Sequence, residues 1–329
     1  MPDASIGRPT AGGSAAAQPP PCPACGAPTT LWLTAPAAEL GLPDVALARC
    51  GSCGTATTLG PPPAGQDSHE TGDYATASPR GVRLAVPLLW LFDRQRLRLT
   101  RRLLPPPARL VDAGAGRGRF VAHARTAGYT DAIGVEPTVR GVDQARARYG
   151  LALEQATIQD AGVAASSADV VTLWHVLEHV DDPAATLDVL RRWLRPGGVL
   201  VVGVPNLDSW QARIGGRRWY HLDLPRHRTH FTARGLARLL SDRGFDVVRT
   251  THVLGEHNPY GMWQSAVSRG TSRPSYLFHL LKRNAELDAR DLTVTALGLV
   301  LLPVAVAAEL AAGLRHRGGT VAIVTRRRP

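Results

Sequence analysis

The chain has 329 residues, 44% of them hydrophobic and 20% charged, which excludes a mainly disordered protein and leaves room for one large domain with appendages. Its formal net charge of +11 invites an anionic partner, yet of its 38 basic residues only Lys282 is lysine. Arginine that is abundant together with Ala, Gly and Pro reflects a compositional bias, so charge alone does not argue for nucleic acid as the main partner.

Residues 1–20 are rich in Ala, Gly, Ser and Pro, show no periodicity and read as a disordered leader. They lack the basic start and apolar run of a secretory signal. All four cysteines fall in the next stretch, residues 21–60, as Cys22-Pro-Ala-Cys25 and Cys50-Gly-Ser-Cys53. Two C-x-x-C turns offer four thiolates, enough to close a tetrahedral Zn2+ shell with no position open for substrate, so a structural, zinc-ribbon-like module is expected. Disulfides are the alternative, and a cytoplasmic chain disfavours them. After a Pro-rich joint at residues 61–63, a basic amphipathic helix is expected over residues 82–104, ended by Pro105, Pro106 and Pro107.

From residue 108 to 254 strand and helix patterns alternate: RLVDAGAG, a helix over 118–127, AIGVEP, a helix over 138–149, ALEQATI, ADVVTLWHV, a helix over 183–194, then VLVVGVPN. The alternation predicts an α/β, Rossmann-like fold, a parallel sheet with helices on both faces and its ligands beyond the carboxyl ends of the strands. The first strand ends in Asp112-Ala-Gly114-Ala-Gly116-Arg-Gly118. Glu136 closes the second strand, where an acid can take both ribose hydroxyls of a nucleoside cofactor. The spacing is G-x-G-x-G, not the G-x-G-x-x-G of dinucleotide sites. Asp112 would repel a pyrophosphate but suits an ammonium group, which favours S-adenosyl-L-methionine over NAD.

His175-Val-Leu-Glu178-His179 matches a zinc-peptidase pattern, but it follows a strand and precedes Asp181, Asp182 and Pro183, so the continuous helix that chemistry needs is not expected. Residues 206–231 follow the last of the alternating strands and should roof the ligand site at its carboxyl end. Trp210, Trp219 and Tyr220 offer flat apolar surface, and His227 and His230, ranked ahead of His221, are candidate bases. Each histidine can instead hold the loop together with Asp223, Arg226 and Arg228.

ARGLARLLSDRGF reads as a helix, FDVVRTTHV as a sixth strand and GGTVAIVTRRR, within residues 319–329, as a seventh. Between them, residues 255–318 form an insertion whose apolar run, 292–314, contains Pro303 and is short for a membrane span. Because both ends return to one sheet, the run is expected to cover the pocket or dip into one leaflet, or else to be a buried core helix.

VDAGAGRGRF, GVEP, ADVVTLWHVLEHVDDP, LRPGGVLVVGVPN and LDLPRHRTHFTARGLARLLSDRGF together resemble the class I S-adenosylmethionine-dependent methyltransferases. More narrowly, they resemble a bacterial branch with an N-terminal cysteine module, over most of residues 22–325. The resemblance implies the donor's methionine side on Asp112, Gly114, Gly116 and Gly118 and its ribose on Glu136. It implies adenine on Thr157 and the Ile158 amide, or on Asp160, since Thr157 stands where an acid is common. His175 would emerge near donor and acceptor, in a segment where quinone-pathway relatives place a divalent ion. The implied activity is methyl transfer, O-methylation above all, to a small-molecule, sugar or lipid-linked acceptor. The expected place is the cytoplasm, with the apolar run 292–314 offering peripheral contact at the inner face of the membrane. The alternatives are an RNA methyltransferase that uses the cysteine module and the arginine-rich helix, and a non-catalytic module of the same fold.

Overall fold

The computed structural model describes residues 18–37, 42–61, 82–256, 258–281 and 285–329, with residues 82–88 in backbone alone. The leader expected at residues 1–20 lies outside the described residues as far as residue 17, and the linker expected from residue 61 does so over 62–81.

β1 (Thr29–Ala35), β2 (Val45–Cys50) and β3 (Ala56–Thr58) form an antiparallel meander around the two cysteine turns. α1 (Val82–Arg101) follows, and then the alternating core begins: β4 (Leu110–Ala113), α2 (Arg119–Thr126), β5 (Ala132–Val135), α3 (Val139–Tyr149), β6 (Ala168–Trp174), α4 (Pro183–Trp193) and β7 (Leu194–Pro205). The helix starts are written into the sequence. Asp182 caps α4 by accepting from the Ala185 N–H, with Pro183 in its first turn, and Thr138 caps α3 by accepting from the Gly141 N–H. β4 pairs in parallel with both β5 and β6, and β6 with β7. Their near-continuous apolar runs suit strands covered on both faces. Gly203 in β7 makes room for an aromatic neighbour: a Cβ there would come within 2.6 Å of the Trp174 ring.

The rest of the chain is α5 (Trp210–Gly215), β8 (Thr229–His230), α6 (Ala233–Asp242), β9 (Phe245–Thr251), α7 (Asn258–Val267), α8 (Tyr276–Leu281), α9 (Ala289–Gly298), α10 (Leu302–Leu314) and β10 (Thr320–Arg327). β10 inserts antiparallel between β7 and β9, so the main sheet runs β5-β4-β6-β7-β10-β9. Among the described residues that sheet therefore has six strands, not the seven expected. The missing strand is ALEQATI, which keeps one parallel bridge, Val135 to Glu154. Its pairing does not extend further because residues 157–160 coil into a turn, while the Glu154 side chain accepts from the Gly162 N–H across that turn at 2.5 Å. β8 joins the other sheet, β1-β2-β3-β8, which ties the cysteine meander to the core.

In the insertion α7 packs on α10 through Met262, Trp263, Val267, Ala305 and Ala312. The Trp263 indole N–H donates to Gly298 O at 2.7 Å. α9 and α10 run on through a 3-10 turn, Leu299–Leu301, as one apolar stretch of which only 22% of the most apolar window is buried. The buried-core alternative for 292–314 is thus not the arrangement observed.

Candidate active site

A cavity of about 790 Å³ opens beyond the carboxyl ends of β4, β5 and β6. That is the place where open parallel sheets take ligands. It has two halves of different construction.

The first half is a single turn and the acid that faces it. Gly114 has φ 78°, a conformation that costs glycine little, and a Cβ there would sit 2.4 Å from Val176 Cγ2. Glu136 Oε2 accepts from the Gly116 N–H at 2.8 Å, and its Oε1 accepts from the Thr138 N–H at 3.1 Å and the Thr138 hydroxyl at 2.5 Å. A carboxylate has about four acceptor sites, so this one can still take a ligand hydroxyl. Asp112 is buried, and its Oδ1 accepts from the Thr172 hydroxyl at 2.6 Å. Burial pushes the Asp112 carboxyl up to about 7, against that hydrogen bond and the charge of Arg96. Over the cradle lies a buried ionic net. Arg119 grips Asp93 with two bonds of 2.8 and 3.1 Å and reaches Glu256 at 3.2 Å. Arg96 pairs with Glu256 and lies 4.3 Å from the Trp174 ring centroid.

The second half is assembled from distant segments. His175 follows β6 at φ 54°, and its Nδ1 lies 3.1 Å from Glu178 Oε1. Residues 176–179 form a turn, so the peptidase-like helix is absent there. Glu178 is 1% exposed; burial alone would raise its carboxyl, but the His175 hydrogen bond and the charges of His175, His179 and His227 outweigh it and hold it at about 2. With Glu178 ionised, the His175 proton sits on Nδ1 and Nε2 is the basic nitrogen. The His221 ring stacks on His175 at 6.0 Å, with 7° between the planes. Tyr220 meets His221, Tyr260 and Phe278 edge-on, and burial pushes its phenol upward, which leaves it a donor and not a base. His227 Nδ1 donates to His221 O at 2.8 Å, and Arg226 pairs with Asp223 at 3.0 Å. Glu178, His179 and His227 bring their ligand atoms within 4.8 Å of one another, a donor set of one carboxylate and two imidazoles that suits a divalent cation.

The four cysteines converge as their spacing predicts. All their Sγ atoms lie within 4.8 Å of one another, with Cys22 to Cys53 at 3.5 Å and Cys25 to Cys50 at 3.6 Å. Those separations are too long for disulfides and match the roughly 3.8 Å edge of a tetrahedron with Zn–S bonds of about 2.3 Å.

Of the residues singled out in the sequence, Asp112, Gly114, Gly116, Glu136, His175 and His227 line the cavity. Gly118 instead lets α2 and α3 close up, since a Cβ there would be 2.8 Å from Ala145 Cβ. Ile158 is buried in the main core and Thr157 bonds Asp160 at 2.6 Å, so neither reaches the cavity. The wall beyond Glu136 is Pro137, Arg140, Arg148 and Tyr149. His230, ranked high as a base, faces away from the cavity: its Nε2 is 3.0 Å from Thr58 Oγ1, and burial with the charge of His227 pushes the ring down to about 3. His221, ranked last, is on the wall. Gly141, where a Cβ would be 2.7 Å from Glu136 Cγ, and the pairing of Glu178 with His175 are not among the site features expected from the sequence. Only the i,i+3 spacing of that pair was a visible signal.

A glycine turn closed by an acid on a parallel sheet defines a nucleoside-cofactor domain. Residues 90–250 match the family model described as Methyltransferase domain. The chain is 31% identical over 148 residues to a ubiquinone biosynthesis O-methyltransferase of Cereibacter sphaeroides, a match that covers 43% of this chain and 58% of that protein. To the protein of that name in a second strain it is 28% identical over 193 residues, 56% of this chain and 70% of the other. Geranyl diphosphate C-methyltransferase from Streptomyces coelicolor aligns at 16% identity and a TM-score of 0.47, covering 78% of this chain and 84% of that one. The similarity to methyltransferases thus spans residues 90–250, the donor-side turn, Glu136 and the His175–Glu178 loop included.

Proposed function

We propose that this chain transfers the methyl group of S-adenosylmethionine to a hydroxyl of a small or lipid-linked acceptor. One observation carries the reading: the His175–Glu178 pair opens into the same cavity as Asp112 and Glu136. Asp112 would hold the donor's ammonium and Glu136 its ribose hydroxyls, and the nucleobase end falls on Pro137, Arg140 and Tyr149 in place of Thr157 and Ile158. The donor supplies a methyl group already activated by its sulfonium charge. The protein's part is to place the acceptor in line and remove its proton. His175 Nε2 takes that proton as the new O–C bond forms and the donor's S–CH3 bond breaks, its electron pair staying on sulfur so that neutral S-adenosylhomocysteine leaves, and ionised Glu178 steadies the imidazolium through Nδ1. Aromatic groups on the acceptor wall, Trp219, Tyr220 and Phe278, suit an apolar or ring-bearing acceptor. The O-methyltransferase relatives support the choice of oxygen.

The four-cysteine shell would hold a structural Zn2+, with no position left for substrate. The stretch 289–314 supports peripheral contact with a membrane, at the cytoplasmic face, because Leu297 and Val300 are 70% and 79% exposed. RNA methylation is less well supported, since Arg96 of the arginine-rich helix is turned inward onto Glu256 and Trp174. The test is radiolabelled methyl transfer from S-adenosylmethionine to a panel of phenols and long-chain alcohols. No transfer to any of them, with donor binding intact, counts against the reading.

A further inference from the structure

The cysteine module does not hang beside the methyltransferase domain; its last strand is part of the roof. β3 pairs antiparallel with β8, Ala56 opposite His230 and Thr57 opposite Thr229. Thr58 then makes three contacts with the roof. Its N–H donates to Arg228 O at 3.0 Å, its hydroxyl donates to His227 O at 2.5 Å, and the same oxygen lies 3.0 Å from His230 Nε2. A threonine hydroxyl has one proton, and with that proton on His227 O the contact with His230 must be an Nε2–H donation to Thr58.

The turn that bears Cys53 is joined to the same segment. The Thr232 hydroxyl donates to Cys53 O at 2.7 Å, and at Gly235 a Cβ would come within 2.0 Å of Thr55 Oγ1 and 3.3 Å of Cys53 Sγ. On its other side the roof leans on the loop of the proposed base. Arg228 N–H and Thr229 N–H both donate to Glu178 O, at 2.7 and 3.1 Å. Residues 227–232 are therefore clamped between the cysteine turn and the His175–Glu178 loop. The donor cradle of β4 and β5 is bonded to itself through Gly116, Glu136 and Thr138, and it meets the His175–Glu178 loop through Val176, which packs on Gly114.

We infer that Thr58 is a positioning residue for the acceptor half, and that the metal module sets the place of His227 and, through Glu178, of His175, while leaving the donor half alone. The inference rests on the methyl-transfer reading for the naming of the two halves. The mechanical link it predicts can be read without any acceptor.

Hydrogen–deuterium exchange of the full-length zinc-loaded chain tests it, with calorimetry of S-adenosylmethionine binding alongside. Thr58→Val keeps shape but removes the hydroxyl, and amides of residues 226–231 should then exchange about tenfold faster. Zinc content and donor affinity should stay within twofold of wild type, and Thr58→Ser should restore slow exchange. Stripping the metal with EDTA should loosen the same segment while peptides over 110–118 stay protected. Unchanged exchange at 226–231 in Thr58→Val and after metal removal would overturn the inference, as would equal loosening of the donor cradle. If wild type does not bind S-adenosylmethionine the proposed function falls, and the exchange result still decides the mechanical link.

Discussion

The two halves of the cavity, proposed for donor and acceptor, are built in opposite ways. The donor half is two consecutive strand ends, 110–118 and 132–141, held by backbone amides on one carboxylate. The acceptor half draws on the loop after β6, the roof before β8 and the insertion around α8, and it is braced by a strand from the cysteine module. Local construction makes a fixed cradle that serves a constant ligand. Assembly from distant segments permits a variable one, so the acceptor half is where specificity can change without disturbing the donor.

Substitutions should separate the halves. The largest effect is expected at the base: His175→Asn or Glu178→Gln should lower turnover by about 10²- to 10³-fold while donor affinity stays within about threefold. Steady-state rates with any acceptor found in the panel check this. Next come Asp112→Asn and Glu136→Ala, which should weaken S-adenosylmethionine binding about tenfold to a hundredfold, roughly 1.5–3 kcal/mol for a charged hydrogen-bond partner lost. Calorimetry reads it directly. A similar loss from His175→Asn would erase the distinction between the halves.

A smaller effect follows from Asp112, whose carboxyl burial pushes up to about 7. An ammonium ligand favours the ionised form, so binding should release a proton near neutrality and strengthen as pH rises through that value. Affinity should fall about tenfold from roughly pH 8 to pH 6, and titrations in buffers of differing ionisation enthalpy would count the proton. The smallest effect is expected at the insertion. Val300→Asp with Leu297→Asp should cut co-flotation with anionic vesicles several-fold and leave donor affinity unchanged. Equal flotation would remove the membrane contact from the account.

The halves also differ in how far they could be read from sequence. The meeting of Asp112, Gly114, Gly116 and Glu136 follows from strand ends and spacing, because they lie within one βαβ unit, and the convergence of the four cysteines follows from two tight turns. The order of His221, His227 and His230 could not be read, because a period-2 alternation in β8 sends His230 back toward Thr58, some 170 residues away in the chain. The third strand is not legible as a single bridge, because the pattern of ALEQATI suggests a strand but does not reveal that the backbone after Glu154 will turn over residues 157–160. Thr157 and Ile158 went with it, since their assignment assumed a strand end there.

The most direct test is a calorimetric titration of S-adenosylmethionine into wild type, Asp112→Asn and His175→Asn under identical conditions. One site on wild type, at least tenfold weaker binding in Asp112→Asn and wild-type binding in His175→Asn is the result expected. Absence of binding to wild type, or equal loss in both variants, would contradict a cavity divided into a donor half and an acceptor half.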